Sequence, residues 1–513
     1  MNITIWKDRV SHKTNRYWNH FVFHPTDAIE DDWGKRILDQ CADDGVGEFV
    51  RIYSMFEDIY TLDADGTIRE DYELNDYRVR YLLSKGFDVM IAYAFIPPWL
   101  SENTAEQSSV AKNKTRYKGK MICTAVPKDV AVWGDLCYRY TKHMVETFGP
   151  EAMSKMMVHC YNEPDLRSFF MASAANARER AAVYVKMYAA FEAGIEKAEK
   201  EYNEAHPGSA FRMTIGGPAL AGDRDFYTDF MDFIQEGPHR LDYFAFHIYG
   251  TKPPYLNNGT LPLKADNSAE KVLWFANDLK ARGYGDLPLV ADEWGACTAG
   301  FYNREECPTL LFRENEIYSC YFVKMIAAYD RLNLPLSKLM ICLSGQHEMT
   351  TDFSGFRNFF TLNFFPKPIY HAFRLSRRLG ETVLHYEIVG GAETEDSPLT
   401  VFPTKTREGR VVLFVAYGNP HFTTVPDETP LPELTVSLSF PGVAEKEARV
   451  TFIDRDHATG YTEYLRLGGN DNPCPAEIEQ MRKASELRTE TIPLQGGKLD
   501  ITMLNNGVAM VEL

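Results

Sequence analysis

The sequence has few of the features that mark membrane proteins and nucleic-acid-binding proteins. It contains no hydrophobic run close to the roughly 20 residues that cross a bilayer, and its opening, "MNITIWKDRV", lacks the apolar stretch of a signal peptide. Basic residues are outnumbered, with 55 Lys and Arg against 72 Asp and Glu, which gives a net charge of −17. Because nucleic acids and anionic lipids attract basic surfaces, neither is expected as a partner.

Cysteines and cofactor motifs are also scarce. The nine cysteines are odd in number and form no Cys-x-x-Cys pair, so a disulfide framework is not indicated. We interpret them as free thiols in a reducing compartment and predict a cytoplasmic protein. The sequence has no glycine-rich phosphate loop and no metal-binding histidine motif, so neither a cofactor nor a metal is predicted.

What the sequence does contain is a regular alternation of short apolar segments and amphipathic helices. Eight segments have the composition of buried parallel strands, at residues 17–23, 48–54, 87–95, 155–161, 212–217, 241–250, 287–295 and 337–345. Eight strand–helix units over about 365 residues predict an α/β fold, a (β/α)8 TIM barrel with long loops. A doubly wound open sheet is the alternative, but the first strand lacks the glycine-rich turn that favours it.

The pattern changes near residue 380. The segments 409–419, 434–440, 447–454 and 499–504 alternate apolar and polar residues, as strands with one buried face do. The sequence therefore predicts a barrel over residues 15–380, followed by an appended C-terminal antiparallel β-sandwich over residues 381–513. Residues 1–14 begin with the same alternation and could add one strand to this sandwich.

Two glutamates follow predicted strands at the positions where such barrels carry their chemistry. Glu163, in "YNEP", comes just after the fourth strand, and Glu293, in "ADEWG", ends the seventh. Because the carboxyl ends of barrel strands meet at one face, the two carboxylates are expected to face each other across one bond. Glycoside hydrolysis needs this arrangement, since one carboxyl group protonates the leaving oxygen and the other acts at the sugar carbon. The alternative is a pair of unrelated surface glutamates.

Around these glutamates the sequence resembles the retaining glycosidases of clan A, and more narrowly glycoside hydrolase family 39, the family of β-xylosidases and α-L-iduronidases. The resemblance rests on "FVRIYSMFED", "AYAFIPPWL", "YNEP", "IGGPAL", "FHIYG", "DEWG" and "FSGFRNFFTLNFFPKPIYHAFRL", which follow the family's order between about residue 17 and residue 378. It implies a barrel followed by a β-sandwich, hydrolysis by double displacement with retention, and a possible homo-oligomer.

The resemblance also implies roles for individual residues. Glu163 would be the acid/base and Glu293 the nucleophile, with the charge of Arg51 keeping Glu293 ionised. Asn162 would hydrogen-bond the sugar 2-hydroxyl, a contact that strengthens in the transition state. His247, at the end of the sixth strand, would line the site.

Aromatic side chains in the loops after the strands are candidates for a platform under the sugar. These are Trp99, Trp294, Tyr249, Tyr255, Phe169 and Phe170. Trp99 and Trp294 are favoured because each directly follows a matched motif, and the Tyr249 hydroxyl could also bond the nucleophile. For any one ring, ordinary packing is the alternative.

Two positions depart from the family pattern. Tyr53 stands where family β-xylosidases carry a sugar-binding histidine, and a tryptophan expected at the end of the eighth strand is absent. Gln346, His347 and Glu348 follow that strand instead, and Glu348 aligns loosely with a family glutamate that contacts sugar hydroxyls. Both changes touch the subsite for the non-reducing sugar, so they leave the chemistry intact and the sugar open.

The sequence therefore predicts a retaining exo-glycosidase that acts on short plant-derived oligosaccharides, with β-xylosidase as the first choice. Arabinosidase, β-glucosidase and β-galactosidase activities stay open. An iduronidase is disfavoured because a uronic acid needs a basic pocket, and the matched loops are poor in Lys and Arg apart from residues 112–120. From a different class, the alternative is a catalytically inactive barrel that binds carbohydrate.

Overall fold

The computed structural model describes residues 1–513 except 24–28, 109–121, 252–262, 265–267, 299, 301, 391–396, 420 and 423–429. The strands are β1 (Asn2–Lys13), β2 (His20–Phe23), β3 (Phe49–Tyr53), β4 (Tyr60–Leu62), β5 (Ile68–Glu70), β6 (Asp88–Tyr93), β7 (Met157–Cys160), β8 (Thr214–Leu220), β9 (Tyr243–Thr251), β10 (Leu263–Lys264), β11 (Leu289–Cys297), β12 (Leu336–Leu343), β13 (Thr382–Ile388), β14 (Leu399–Lys405), β15 (Val411–Tyr417), β16 (His421–Phe422), β17 (Leu434–Ser439), β18 (Glu447–Ile453), β19 (Thr489–Pro493), β20 (Lys498–Met503) and β21 (Gly507–Glu512). The α-helices are α1 (Asp32–Asp44), α2 (Phe56–Ile59), α3 (Glu73–Ser84), α4 (Val130–Lys155), α5 (Ala177–Ala205), α6 (Arg224–Glu236), α7 (Ala269–Ala281), α8 (Glu316–Arg331), α9 (Pro368–Ser376), α10 (Gly460–Arg466) and α11 (Pro475–Ala484). Short 3-10 helices cover Pro308–Glu314 and Gln346–Glu348.

Eight strands close into a parallel barrel in the order β2-β3-β6-β7-β8-β9-β11-β12. The ring is completed where β12 runs parallel to β2, with Met340 opposite His20. The predicted (β/α)8 barrel is confirmed, and each predicted apolar segment overlaps one barrel strand. The open-sheet alternative is wrong because the first and last barrel strands pair with each other.

Helix α1 illustrates how the sequence sets the limits of the barrel helices. At its start, the Asp31 side chain accepts a hydrogen bond from the Gly34 N–H, and the helix ends at Gly45, which has a left-handed φ of 58°. A β-carbon at position 45 would collide with the guanidinium of Arg377. Glycine therefore allows both the turn into β3 and the close approach of this arginine.

The other long strands form one sheet, in the order β19-β18-β21-β15-β14-β13-β1-β17-β20. At its middle, β13 and β14 pair at only two positions, Thr382 and Val383 of β13. Side chains from both sides of this junction share one core, which includes Leu413 of β15 and Leu438 of β17. The sheet therefore folds over itself into two layers, as the predicted β-sandwich requires. Strand β1 lies inside it, antiparallel to β13 and parallel to β17.

All nine cysteines are free thiols, as the sequence predicts, and eight of them are buried. Within the part of the chain that the structure describes, no helix combines the length and the apolar character needed to cross a bilayer.

Candidate active site

A bulge in β11 brings two consecutive carboxylates to the inside of the barrel. The pairing of β11 with β9 shifts between Ala291 and Glu293, so Asp292 is an extra residue on its strand. Regular alternation would send one of these two acidic residues to the helix side. Instead both reach Arg51, whose Nε lies 3.2 Å from Asp292 Oδ2 and whose Nη1 lies 2.9 Å from Glu293 Oε1.

Trp294 lies on the other face of β11, and its prediction as a sugar platform is wrong. Only 1% of its surface is exposed. Its ring stacks with Phe322 of α8 at 5.9 Å and with Phe373 of α9 at 6.4 Å. Because Trp294 directly follows Glu293 on a strand, alternation turns its ring away from the site and toward the helices.

Glu163 is positioned by an unusual backbone after β7. Tyr161 and Glu163 have left-handed φ values of 65° and 44°, a conformation that costs a non-glycine residue about 1–3 kcal/mol. The Glu163 N–H donates to the carbonyl of Ala219 on β8 at 3.0 Å. Two residues further, Asp165 accepts hydrogen bonds from the N–H groups of residues 221–223. These bonds join the loops after β7 and β8 and hold Glu163 at the barrel mouth.

Glu163 and Glu293 face each other, with His247 beside both. One carboxylate oxygen of each glutamate and a ring nitrogen of His247 lie within 4.8 Å of one another. His247 Nδ1 is 2.8 Å from Glu163 Oε1 and 3.5 Å from Glu293 Oε2. Carboxyl groups about 5–5.5 Å apart are typical of retaining glycosidases, whereas inverting enzymes leave about 6.5–9.5 Å for a water. The spacing therefore fits direct attack by a carboxylate.

Hydrogen-bond donors surround the Glu293 carboxylate. Its Oε1 accepts from Arg51 Nη1 at 2.9 Å and from the Tyr53 hydroxyl at 3.3 Å, and its Oε2 accepts from the Tyr249 hydroxyl at 2.8 Å. Burial alone would raise the Glu293 pKa, but the positive charges of His247 and Arg51 outweigh it and hold this pKa well below its usual value. Glu293 is therefore ionised at neutral pH.

Arg357 is a second buried guanidinium at this site, and it was not predicted from the sequence. Its Nη1 donates to the Tyr249 hydroxyl at 2.9 Å, and its Nε donates to Ser344 Oγ at 3.0 Å. Its charge also lowers the pKa of Glu293. Arg357 lies within the matched stretch "FSGFRNFF", but only the folded chain shows that this stretch reaches Tyr249. The expectation that the matched loops are poor in basic residues is wrong at this position.

Arg51 connects three barrel strands beneath the glutamates. Besides its contacts to β11, its Nη2 donates to Asn162 Oδ1 at 2.6 Å, and its Nε donates to His159 Nε2 at 3.1 Å. Burial and the neighbouring Arg51 charge lower the pKa of His159 to about 3, so the neutral ring accepts this bond. Neither residue was predicted, although Asp292 lies within the quoted motif "DEWG" and His159 lies two residues before "YNEP".

The two glutamates have their pKa values shifted in opposite directions. Burial raises the pKa of Glu163, and His247 opposes this only in part. For His247, burial lowers the pKa, but the charges of Glu293, Asp292 and Glu163 raise it to about 10. Opposite shifts in a carboxyl pair are what an acid and a nucleophile require at one pH.

An aromatic wall extends from Tyr53. Its ring stacks on Phe95 at 5.6 Å, and Phe95 stacks on Phe169 at 6.5 Å. Phe95 was not predicted, and Phe169 was named as a candidate. Phe170 is fully buried with its ring against Tyr161, so its prediction as a platform is wrong.

The other predicted aromatic residues do not join the glutamates. Trp99 is half-buried, and its indole N–H donates to the carbonyl of Tyr60 at 2.9 Å. No hydrogen bond or ring contact within the described ranges links Trp99 to Glu163 or Glu293. Tyr255 and the basic residues 112–120 lie outside the described residues.

Polar groups stand where the family tryptophan was expected. Glu348 is buried in the 3-10 helix that follows β12. In the same helix, both the amide nitrogen and the amide oxygen of Gln346 are buried and lack a hydrogen-bond partner among the residues that the structure describes. Buried amides normally bind a protein group, a water or a ligand. This end of the barrel therefore presents hydrogen-bonding groups rather than a ring.

Known proteins resemble this chain over its whole length. The family model "Glycosyl hydrolases family 39" matches residues 1–497. A curated β-xylosidase of Caldicellulosiruptor saccharolyticus is 24% identical over 514 residues, covering 96% of this chain and 93% of the relative. A second, of Geobacillus stearothermophilus, is 21% identical over 480 residues, covering 88% and 82%. Among solved structures, a monomeric β-xylosidase from Caulobacter crescentus CB15 superposes with a TM-score of 0.78 at 17% identity, covering 100% of this chain and 99% of that one. The chain therefore belongs to family 39 of the glycosyl hydrolases and is a glycoside hydrolase, as its motifs predicted.

Proposed function

We propose that this protein is a retaining exo-glycosidase that removes β-linked xylose from short plant-derived oligosaccharides. The observation that carries the proposal is the pair Glu163 and Glu293: one carboxylate oxygen of each lies within 4.8 Å of the other, and their pKa values are shifted in opposite directions. This pair supplies an acid and a nucleophile at the same pH. The β-xylosidase names of the curated relatives support xylose as the sugar.

In the first chemical step, Glu293 attacks the anomeric carbon and the glycosidic C–O bond breaks. Glu163 gives its proton to the departing oxygen, and a covalent glycosyl–enzyme remains. His247 Nδ1 bonds Glu163 Oε1, which leaves Oε2 to carry this proton. In the second step, Glu163 takes a proton from water, the water oxygen bonds the sugar carbon, and Glu293 is released as a carboxylate.

Arg51 prepares two groups for this reaction. It neutralises Glu293 through Nη1, and it occupies Asn162 Oδ1 through Nη2. With its oxygen engaged, Asn162 presents its NH2 group to the sugar 2-hydroxyl, where a hydrogen bond strengthens as the transition state forms. Tyr53 and Tyr249 hold the nucleophile from the two sides.

We expect nitrophenyl β-xyloside to be the best substrate in a panel of nitrophenyl glycosides, with the retained anomer seen first by proton NMR. We also expect side activity on a hexoside or an arabinoside, because polar groups replace the expected ring near Gln346. Discrimination by one carbon group is worth only about 1–3 kcal/mol. A xyloside preference above about a thousandfold would exceed this range, and an inverted first product would refute retention. Sugar binding without turnover of any substrate would favour the inactive barrel.

Arg357 is expected to tune the nucleophile through Tyr249. Arg357→Gln removes a charge behind this tyrosine, so the pKa of Glu293 rises and the acidic limb of the kcat/KM profile moves to higher pH. We expect kcat/KM to fall about tenfold, in line with one lost charge-assisted hydrogen bond, with partial recovery in Arg357→Lys. Buried Arg313, which contacts Gly355 and Cys297 instead, gives the matched control Arg313→Lys. An unchanged acidic limb in Arg357→Gln would contradict this role.

A homo-oligomer stays a prediction, to be tested by light scattering. The solved Caulobacter relative is described as monomeric.

A cytoplasmic location is part of the proposal because the nine cysteines are free thiols. Recovery of the protein from culture medium with disulfides would contradict it.

A further inference from the structure

A second polar cavity lies at the other end of the barrel from Glu163 and Glu293. Its volume is about 740 Å³. It is bordered by the ends of α1 and α9 on the barrel side and by the β14–β15 turn, β18 and β21 on the sheet side. The end of α1 leads into the start of β3, whereas both glutamates follow the ends of their strands. The cavity is therefore separate from the candidate active site.

Arginines dominate the lining of this cavity. It has seven arginines and five carboxylates, in a chain whose net charge is −17. Arg374 pairs with Asp44 at 2.9 Å, and Arg378 pairs with Glu512 at 2.9 Å. Arginine–carboxylate pairs such as these commonly join two parts of a protein, so these two pairs alone do not indicate a ligand.

Two more arginines on the β14–β15 side have carboxylate neighbours. Arg407 pairs with Glu381 at 2.6 Å, whereas Arg410 approaches Glu408 only to 3.9 Å. The Arg410 side chain is 59% exposed, so this loose pair leaves its guanidinium able to turn toward another anion.

Three arginines of the cavity have no carboxylate within 4.0 Å among the described residues: Arg16, Arg377 and Arg449. Arg16 Nη2 donates to the carbonyl of Arg377, and its Nε is buried without a hydrogen-bond partner. Arg377 Nη1 donates to the carbonyl of Asp44. Of the five carboxylates, Asp43 alone lacks such a pair within the described part of the chain. The cavity therefore holds an excess of two positive charges.

An adjoining cavity of about 460 Å³ extends the same charge. It shares Asp44 and Arg374 with the first and adds two arginines, Arg36 and Arg482, and one carboxylate, Glu486. Arg482 Nε also lies 3.6 Å from Glu479 Oε2, so the added arginines outnumber the added carboxylate but are not all unpaired. Burial, and then the like charge of Arg482, lower the pKa of Arg36. Two arginines that repel each other beside a cavity would both be stabilised by an anion between them.

We propose that the arginine-lined cavity binds a small polyvalent oxyanion, a phosphate or a phosphorylated compound. Guanidinium groups match the geometry of phosphate oxygens and hold them through paired hydrogen bonds. The excess of two charges suits a dianion, and the volume falls within the range of about 300–1,000 Å³ that small-molecule sites occupy. Because the ligand would touch both the barrel and the sheet, its binding stabilises their contact. The inference does not depend on the proposed glycosidase specificity.

The test uses the whole protein with pyrophosphate at constant ionic strength, balanced with sodium chloride. We expect a saturable rise in Tm and a measurable heat of binding. Arg410→Gln/Arg449→Gln should weaken binding about tenfold or more, since each guanidinium contributes charge-assisted hydrogen bonds. Both positions are exposed, so the variant is expected to fold, and its glycosidase activity without ligand should be unchanged.

The matched control is Arg80→Gln, which removes an exposed arginine from α3. Its affinity for pyrophosphate should equal that of the unmodified protein. Separate titrations with orthophosphate and with a hexose phosphate distinguish free phosphate from a phosphorylated compound as the ligand. Tighter binding of the hexose phosphate identifies a phosphorylated compound, and tighter binding of orthophosphate identifies free phosphate. The proposal is overturned if pyrophosphate binds equally to all variants, or if chloride alone reproduces the rise in Tm.

Discussion

Glu293→Gln is expected to abolish the hydrolysis of every glycoside, with kcat lowered on the order of 10⁴-fold or more, as for other removed nucleophiles. An amide cannot form the glycosyl–enzyme. In the unmodified protein, Arg51 and Tyr53 donate to one carboxylate oxygen of Glu293, and Tyr249 donates to the other. The NH2 group of the glutamine would face one of these donors and cannot accept its hydrogen bond. The rate of nitrophenol release measures the loss.

Asp292→Asn is the matched control for this variant. It removes a neighbouring carboxylate that also pairs with Arg51 but belongs to the support of the site. Activity should fall and remain measurable. In Glu293→Ala, azide should restore turnover and give a glycosyl azide of inverted configuration, because it attacks the substrate directly. A glycosyl azide of retained configuration from this variant would assign Glu293 the acid/base role.

The loss of rate in Glu163→Ala should depend on the leaving group of the substrate. General acid help contributes typically 10²–10⁴-fold, so natural oligosaccharides should lose about this much, whereas dinitrophenyl glycosides need little help in the first step. Azide should then accelerate the second step and give a product of retained configuration. Steady-state rates with the two substrate types, with and without azide, measure both effects.

The pH dependence provides an independent check on Glu163. Burial raises its pKa, and the unmodified enzyme loses kcat/KM as pH rises through that value and the acid gives up its proton. Glu163→Ala should lack this basic limb and keep the acidic limb, which belongs to Glu293. If the basic limb persists in Glu163→Ala, another group donates the proton.

The sequence was sufficient for the barrel and for much of the site because both follow from local patterns. Short apolar segments identified the eight strands, and the strand ends indicated Glu163, Glu293, Arg51 and His247 as neighbours. The register of the barrel strands, in contrast, does not follow from local sequence patterns. The bulge at Asp292 inserts one residue without any special composition, so it could not be inferred which of residues 292–294 face inward.

Contacts between distant segments were the other source of error. Arg357 reaches Tyr249 only because the chain folds back after β12, and no local pattern shows that the Trp294 ring packs against Phe322 and Phe373 of two distant helices. The indole of Trp99 hydrogen-bonds a backbone carbonyl, which no motif encodes. Side-chain direction in long loops depends on packing that a linear pattern does not contain.

The place of β1 in the sheet has a consequence for synthesis on the ribosome. Ile3 pairs with Ile388, and Ile3 also pairs with Leu438 on β17. At about 5–20 residues per second, translation needs roughly 20–75 s between the first strand and its first partner. During that time β1 leaves the exit tunnel with its backbone unpaired, while the barrel can already form behind it. A nascent chain of this protein therefore carries an exposed strand edge until late in translation, and chaperones that bind extended segments would find it there.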